Sequence, residues 1–184
     1  MASGPSLIQE DIDAAFEWRN ADRASRKIFV TNTTFRKALD ADVLMAHDYK
    51  WWSKYINEVR STFKGERVSV TASKPDWGIK QFDRKELEPY GNSGAGAVSL
   101  AIMAGCKKVI LLGYDCCHGP NGEVHHHGDH PRDLGNALSL PNWPRRFEKL
   151  AAYAAEREVE VINCSRRTAL KCFKQGALGD VLYS

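Results

Sequence analysis

The sequence lacks any apolar run near the roughly 18 residues that a membrane-spanning helix needs. Its longest, Val-Ile-Leu-Leu-Gly at 109–113, has the length of one strand. No basic-then-apolar leader opens the chain, so a cytoplasmic protein is expected. A strong charge of one sign is also missing. The 26 Lys and Arg against 23 Asp and Glu leave only +3, too little to argue for a nucleic-acid partner. The basic pairs at 145–146 and 166–167 read as solvated surface. Cysteine is sparse and odd in number: Cys106, Cys116, Cys117, Cys164 and Cys172. They form no C-x-x-C pair, and two are adjacent. That pattern excludes an ordinary disulfide framework and suits reduced, mostly buried thiols. Internal repeats and low-complexity linkers are absent as well.

What is present is an ordinary globular chain. At 184 residues with 43% hydrophobic content it predicts a single domain with a real core. Strand-like runs alternate with helical patterns, as in a parallel α/β sheet. The predicted strands are 27–32, 42–48, 67–72, 107–115 and 159–165. Helices are predicted over 8–20, 49–59, 92–106 and 141–158, with a short last one from 168 to 173. Ser6 is placed as the cap of the first helix, with Gln9 completing a capping box. Residues 73–91 and 116–141 read as loops. Val109 to Leu112 are apolar without alternation, which implies burial on both faces and a place near the sheet centre. The expected architecture is a Rossmann-like three-layer α/β sandwich with a mostly parallel sheet.

In such a sheet, ligands bind beyond the carboxyl ends of the strands. The residues expected there are polar or expose backbone: Gly4, Pro5 and Ser6; Thr31, Asn32 and Thr33; His47 and Asp48; Asn92, Ser93 and Gly94; Tyr114 and Asp115; Asn163, Ser165 and Arg166. Gly4-Pro5-Ser6 and Asn92-Ser93-Gly94 each open a helix. Free amides and a positive dipole end at such a turn suit phosphate, whereas a plain helix cap is the simpler reading.

The long loop carries Gly-Glu-Val-His-His-His-Gly-Asp-His-Pro-Arg-Asp at 122–133. A zinc site needs three or four converging ligands. His126 and His130 have helical spacing, but Gly128 and Pro131 oppose a helix. No metal is expected here. The competing expectations are one histidine as a general base, or a solvated polar loop in which His125 has no role. Trp51 and Trp52 diverge by about 100° on a helix, so at most one is expected in the core.

The run Gly91 to Asp115, with its Ser-Gly turn, small-residue helix and Gly-x-Asp strand end, resembles the sialyltransferases of glycosyltransferase family 42. It is similar also to MptE-like pyrophosphokinases. Ser3 to Leu7 resembles the nucleotide loop of the sialyltransferases. Residues 28–35 resemble their strand-Asn-x-x-Phe segment. The histidine loop falls where their catalytic histidine lies, and 159–173 resembles their closing strand and helix. The whole pattern is similar, more closely still, to proteins of tailed phages and prophages, often encoded among virion morphogenesis genes.

The resemblance implies a nucleotide or nucleotide-sugar donor of the CMP type. Gly4, Pro5, Ser6 and Asn32 would contact the nucleotide and its phosphate. Asn92, Ser93 and Gly94 would hold the donor sugar end, Asp115 would face the site, and His130 would be the general base. Inversion would need no metal. The pyrophosphokinase likeness implies Mg²⁺ instead, with Asp48, Asp115 and Asp129 available. The phage likeness implies virion proteins as partners and a non-catalytic assembly role. Two departures bear on these implications. The sialyltransferases have two tyrosines after the Gly-x-Asp strand; Cys117 and Glu123 stand roughly there, with His118 as a possible replacement. Their first strand is full length, whereas only Met1 and Ala2 precede Ser3 here.

Overall fold

A computed structural model describes residues 1–71, 74–83, 85, 87, 91–131, 133–134 and 139–183. Among the described residues are five helices of the α type: α1 (Gln9–Ala21), α2 (Tyr49–Thr62), α3 (Ser93–Met103), α4 (Trp143–Ala155) and α5 (Leu178–Leu182). Seven short strands accompany them: β1 (Phe29–Thr31), β2 (Val43–Met45), β3 (Glu66–Ser69), β4 (Lys80–Gln81), β5 (Lys108–Leu111), β6 (Glu160–Asn163) and β7 (Lys174–Gln175). They form two sheets, β1-β2-β3-β4 and β5-β6-β7, and every described pairing is parallel.

The first residues join the two sheets. The Met1 amino group donates to Phe29 O, and Thr31 N–H donates to Met1 O. On the other side Ala2 N–H donates to Leu112 O, and Gly4 N–H to Gly113 O. Met1 to Gly4 therefore lies between β1 and β5, in the position of the first strand of a doubly wound sheet. Chain order runs outward from it to β4 on one side and from β5 to β7 on the other. Met1 to Gly4 is thus tied to β1 on one flank and to the end of β5 on the other.

Side-chain alternation makes three layers. Val30, Leu44, Ala46, Leu112 and Ile162 pack with α1 and α2 residues such as Ile12, Trp52 and Val59. Their neighbours on the opposite face, Leu111 and Val161, pack on α3 and α4 through Val98, Phe147 and Leu150. Val43, Met45 and Val68 meet Ala97 and Leu100 on that same face. At the end of β5 the expected burial on both faces is met at Leu111 and Leu112, whereas Lys108 is exposed and Val109 and Ile110 are half-buried against the two layers. Small residues let α3 sit close: a Cβ on Gly96 would lie 2.9 Å from Met45 Cε.

Several expectations are corrected. Ser6 does not cap α1; Ile8 is at that position without a side-chain bond, and Gln9 bonds Asp13 instead. Both tryptophans are buried, Trp51 at 3% and Trp52 at 1% exposure. The indole of Trp52 donates to Ala46 O beside β2. Trp51 turns to the 3₁₀ segment Asn32–Lys37, where it donates to Thr33 Oγ1 and meets Phe35 edge-on at 6.0 Å. The divergence of adjacent helical positions is thus covered on both sides. Within the expected 73–91 loop, Lys80–Gln81 adds a fourth strand to β3. The expected helix over 168–173 is absent. Thr168 Oγ1 donates to Tyr114 O and accepts from Asn163 Nδ2 and Leu170 N–H, while Ala169 N–H donates to Asp115 O. These bonds compete with helical ones and lead the chain extended into β7. Ala72 and Pro89, placed by sequence in a strand and a loop, lie outside the described residues, as do 132 and 135–138 of the long loop.

Candidate functional site

A cavity of about 980 Å³ opens over the carboxyl ends of the strands. It lies where chain order reverses, between Met1–Gly4 and β5, which is where ligands of doubly wound sheets bind. Of the residues the sequence assigned to nucleotide binding or catalysis, Gly4, Asn32, Asn92, Ser93, Gly94, Asp115 and His130 line it. Pro5 and Ser6 do not.

The reason is Asp115. This carboxylate, 1% exposed, accepts from Ser6 N–H at 2.8 Å and from Ser6 Oγ–H at 2.7 Å. Gly4 N–H is spent on Gly113 O, Pro5 has none, and Leu7 N–H donates to Gly4 O. Every donor of the first turn is engaged, so it presents no free amide to a phosphate. A Cβ on Gly4 would lie 2.3 Å from Asp115 Oδ1, which is why only glycine fits there. Burial pushes the Asp115 carboxyl above its usual range, and the Ser6 bonds act the other way. Both of its oxygens knit the turn to the end of β5.

The second turn differs. Asn92 Oδ1 accepts from Ala95 N–H at 2.9 Å as the cap of α3, and Asn92 O accepts from Gly96 N–H. Ser93 N–H and Gly94 N–H have no acceptor among the described residues. They point the positive end of an 11-residue helix at the cavity. Ser93 Oγ accepts from His47 N–H and is held in place by it. Asn92 Nδ2 and Asn32 Oδ1, also on the wall, are buried with no partner among the described residues. Asn32 has φ +47°, a backbone state that asparagine tolerates better than most residues. Buried polar groups are normally satisfied, so this donor and acceptor are available to a ligand or water in the cavity.

Sequence reasoning missed part of the wall. Tyr49, Lys50, Trp143 and Arg146 line the cavity, and Arg146 Nη1 reaches Gly91 O. The Arg145-Arg146 pair was legible only as surface charge, because nothing in it signals which arginine turns inward. Arg166 and Arg167 do not line the cavity. Arg166 makes a two-point bond with Asp11 on α1, and Arg167 donates to His118 O. Of the tyrosine replacements, Cys117 lines the cavity with a thiol that burial pushes up. Glu123 and His118 lie outside the wall: Glu123 closes a turn with Asn121, and His118 Nδ1 lies 3.3 Å from Gly122 O.

The histidine loop folds onto Ser3. His126 N–H donates to Ser3 O, and His125 Nδ1 lies 2.9 Å from Ser3 Oγ. Gly128, at φ +79°, reverses the chain. His125 and His127 stack at 5.1 Å between centroids, and His130 leans on both at 4.7 and 4.8 Å. His125 is 7% exposed, so it is not solvated loop. Burial pushes His125 down to about 3, His126 and His127 to about 4, and lowers His130 against the opposing pull of Asp129 and Asp48. All four imidazoles are neutral at pH 7. Asp48 lines the cavity and Asp129 does not.

No helix among the described residues is long and apolar enough to cross a membrane. Compared with protein families, curated proteins and solved structures, the chain matches none.

Proposed function

We propose that the cavity binds a nucleoside phosphate donor and that the protein is a nucleotide-dependent transferase. The observation that carries this reading is the α3 N-terminus, whose Ser93 and Gly94 amides face the cavity without acceptors among the described residues. An anion gains both free donors and the helix dipole there. Arg146 and Lys50 add positive charge to the same wall. The sequence likeness to nucleotide-sugar transferases supports the donor class. His130 is the proposed proton acceptor, being neutral and on the wall of the same cavity.

The donor phosphate is assigned to the second turn, not to Gly4-Pro5-Ser6, whose donors Asp115 and the backbone hold. Thermal unfolding with CMP, UDP, GDP and ATP tests this. A nucleotide at a hundredfold over its Kd stabilises the native state by about 2.7 kcal/mol, which for a chain of this size raises Tm by about 5–10 °C. Asn92→Asp keeps the α3 cap but sets a carboxylate against the phosphate. That variant should retain the Tm of the free protein and lose the nucleotide shift. No shift in the wild type with any of the four would sink the proposal and favour a non-catalytic assembly role.

A further inference from the structure

We propose that His125, His127 and His130 bind one divalent transition-metal ion of the zinc class in the cavity wall, with a coordination position left open. One ligand atom from each lies within 4.8 Å of the others. Three atoms so spaced share a point no more than about 2.8 Å from each, and zinc–nitrogen bonds are about 2.0–2.1 Å, so inward movements of about 0.7 Å close the set.

Three further observations point to an ion. The Nε2 atoms of His125 and His127 are buried and have no partner among the described residues, which is costly unless something meets them. His125 Nδ1 is already bonded to Ser3 Oγ at 2.9 Å, so an ion on Nε2 fixes the ring as metal-binding histidines are usually fixed, by a bond from the other nitrogen. The fourth histidine of the loop is sorted out of the group: His126 turns to Thr34 Oγ1 at 3.4 Å.

The donor set chooses the ion class. Three imidazoles suit zinc, cobalt or nickel, whereas Mg²⁺ and Ca²⁺ require oxygen ligands. Three protein ligands with an open position are the pattern of catalytic sites; closed structural sites have four. His125 and His130 line the cavity, so the open position faces it. The sequence spacing His-x-His-x-x-His gave no helical register. The turn at Gly128 and the two bonds to Ser3 create the convergence. This inference does not rest on the nucleotide reading. Were the ion bound, His130 would serve as a ligand and the ion would supply Lewis-acid chemistry at the cavity wall; in the ion-free protein His130 keeps the proton-accepting role.

The test is Co²⁺ and Zn²⁺ binding to tag-free protein stripped with chelator and then dialysed. The expected result is one ion per chain by elemental analysis, an intense visible Co²⁺ spectrum of low coordination number, and a Zn²⁺-dependent rise in Tm. His127→Gln, which leaves the cavity wall intact, should weaken binding by about 100-fold or more. Ser3→Ala should weaken it by about 10- to 100-fold through loss of ring orientation. His126→Gln should bind as the wild type does. Absence of ion binding by the wild type, or equal loss in His126→Gln and His127→Gln, would overturn the site. A nucleotide-induced Tm shift in stripped protein would leave the transferase reading standing when this one fails.

Discussion

Replacing Asp115 separates its hydrogen-bonding capacity from its charge. In the folded protein its two oxygens accept from Ser6 N–H and Ser6 Oγ–H. Asp115→Ala leaves both donors without an acceptor. Each loss costs about 1–3 kcal/mol when the group stays buried, but water from the adjoining cavity recovers part. A total of about 2–3 kcal/mol follows, or a Tm lower by about 4–12 °C for a chain of this length. Asp115→Asn behaves differently. Its single carbonyl oxygen takes the Ser6 amide, and the Ser6 hydroxyl rotates to accept from the new NH₂. Both bonds survive and the buried charge disappears, so stability should stay within about 1 kcal/mol of wild type. The pH dependence has a definite sign. Burial raises the folded carboxyl above its unfolded value of about 3.9, so between those values the folded state holds the extra proton. Wild-type stability from this group is therefore lost as pH rises through that window, and Asp115→Asn removes the loss. Urea unfolding of the three proteins at several pH values measures each difference. If Asp115→Asn loses as much as Asp115→Ala, or if Asp115→Ala loses nothing, the carboxylate does not hold the turn by hydrogen bonds.

Two other predictions concern the frame of the site. Gly96→Ala gains up to about 1 kcal/mol of helix propensity, but its Cβ lies 2.3 Å from His47 Nε2 and 2.9 Å from Met45 Cε. Overpacking of this kind costs about 1–3 kcal/mol, so net destabilisation is expected in urea unfolding; a gain would show that α3 does not press on β2. Arg19 on α1 is fully buried and holds Asp42 Oδ1 at 3.1 Å and Asp40 O at 2.9 Å. Arg19→Met keeps the apolar stem and orphans those acceptors, which should cost about 2–3 kcal/mol; an unchanged midpoint would show that water already serves them.

The sequence alone determined the layered frame. The apolar run at 109–112 was legible as a strand near the sheet centre and 159–165 as a last strand, because hydrophobic patterning is a local property; full burial of the first run is reached only at Leu111 and Leu112. Asn92 was legible as part of a helix-opening turn, since its cap bond spans only three residues. The sequence also placed Asn32, Asn92, Ser93, Asp115 and His130 at one edge, because a parallel sheet brings its strand ends together. Tertiary structure decided what each group does there. Ser6 and Asp115 are 109 residues apart, and only folding shows that the carboxylate fills the first turn. Thr168 gave up a helix for bonds to residues some 50 positions away. Trp51 is buried by a 3₁₀ segment that no helical wheel contains. The histidines at 125, 127 and 130 follow no ligand spacing in the chain. They converge because Ser3, 122 residues distant, pins one end of their turn and Gly128 reverses the other.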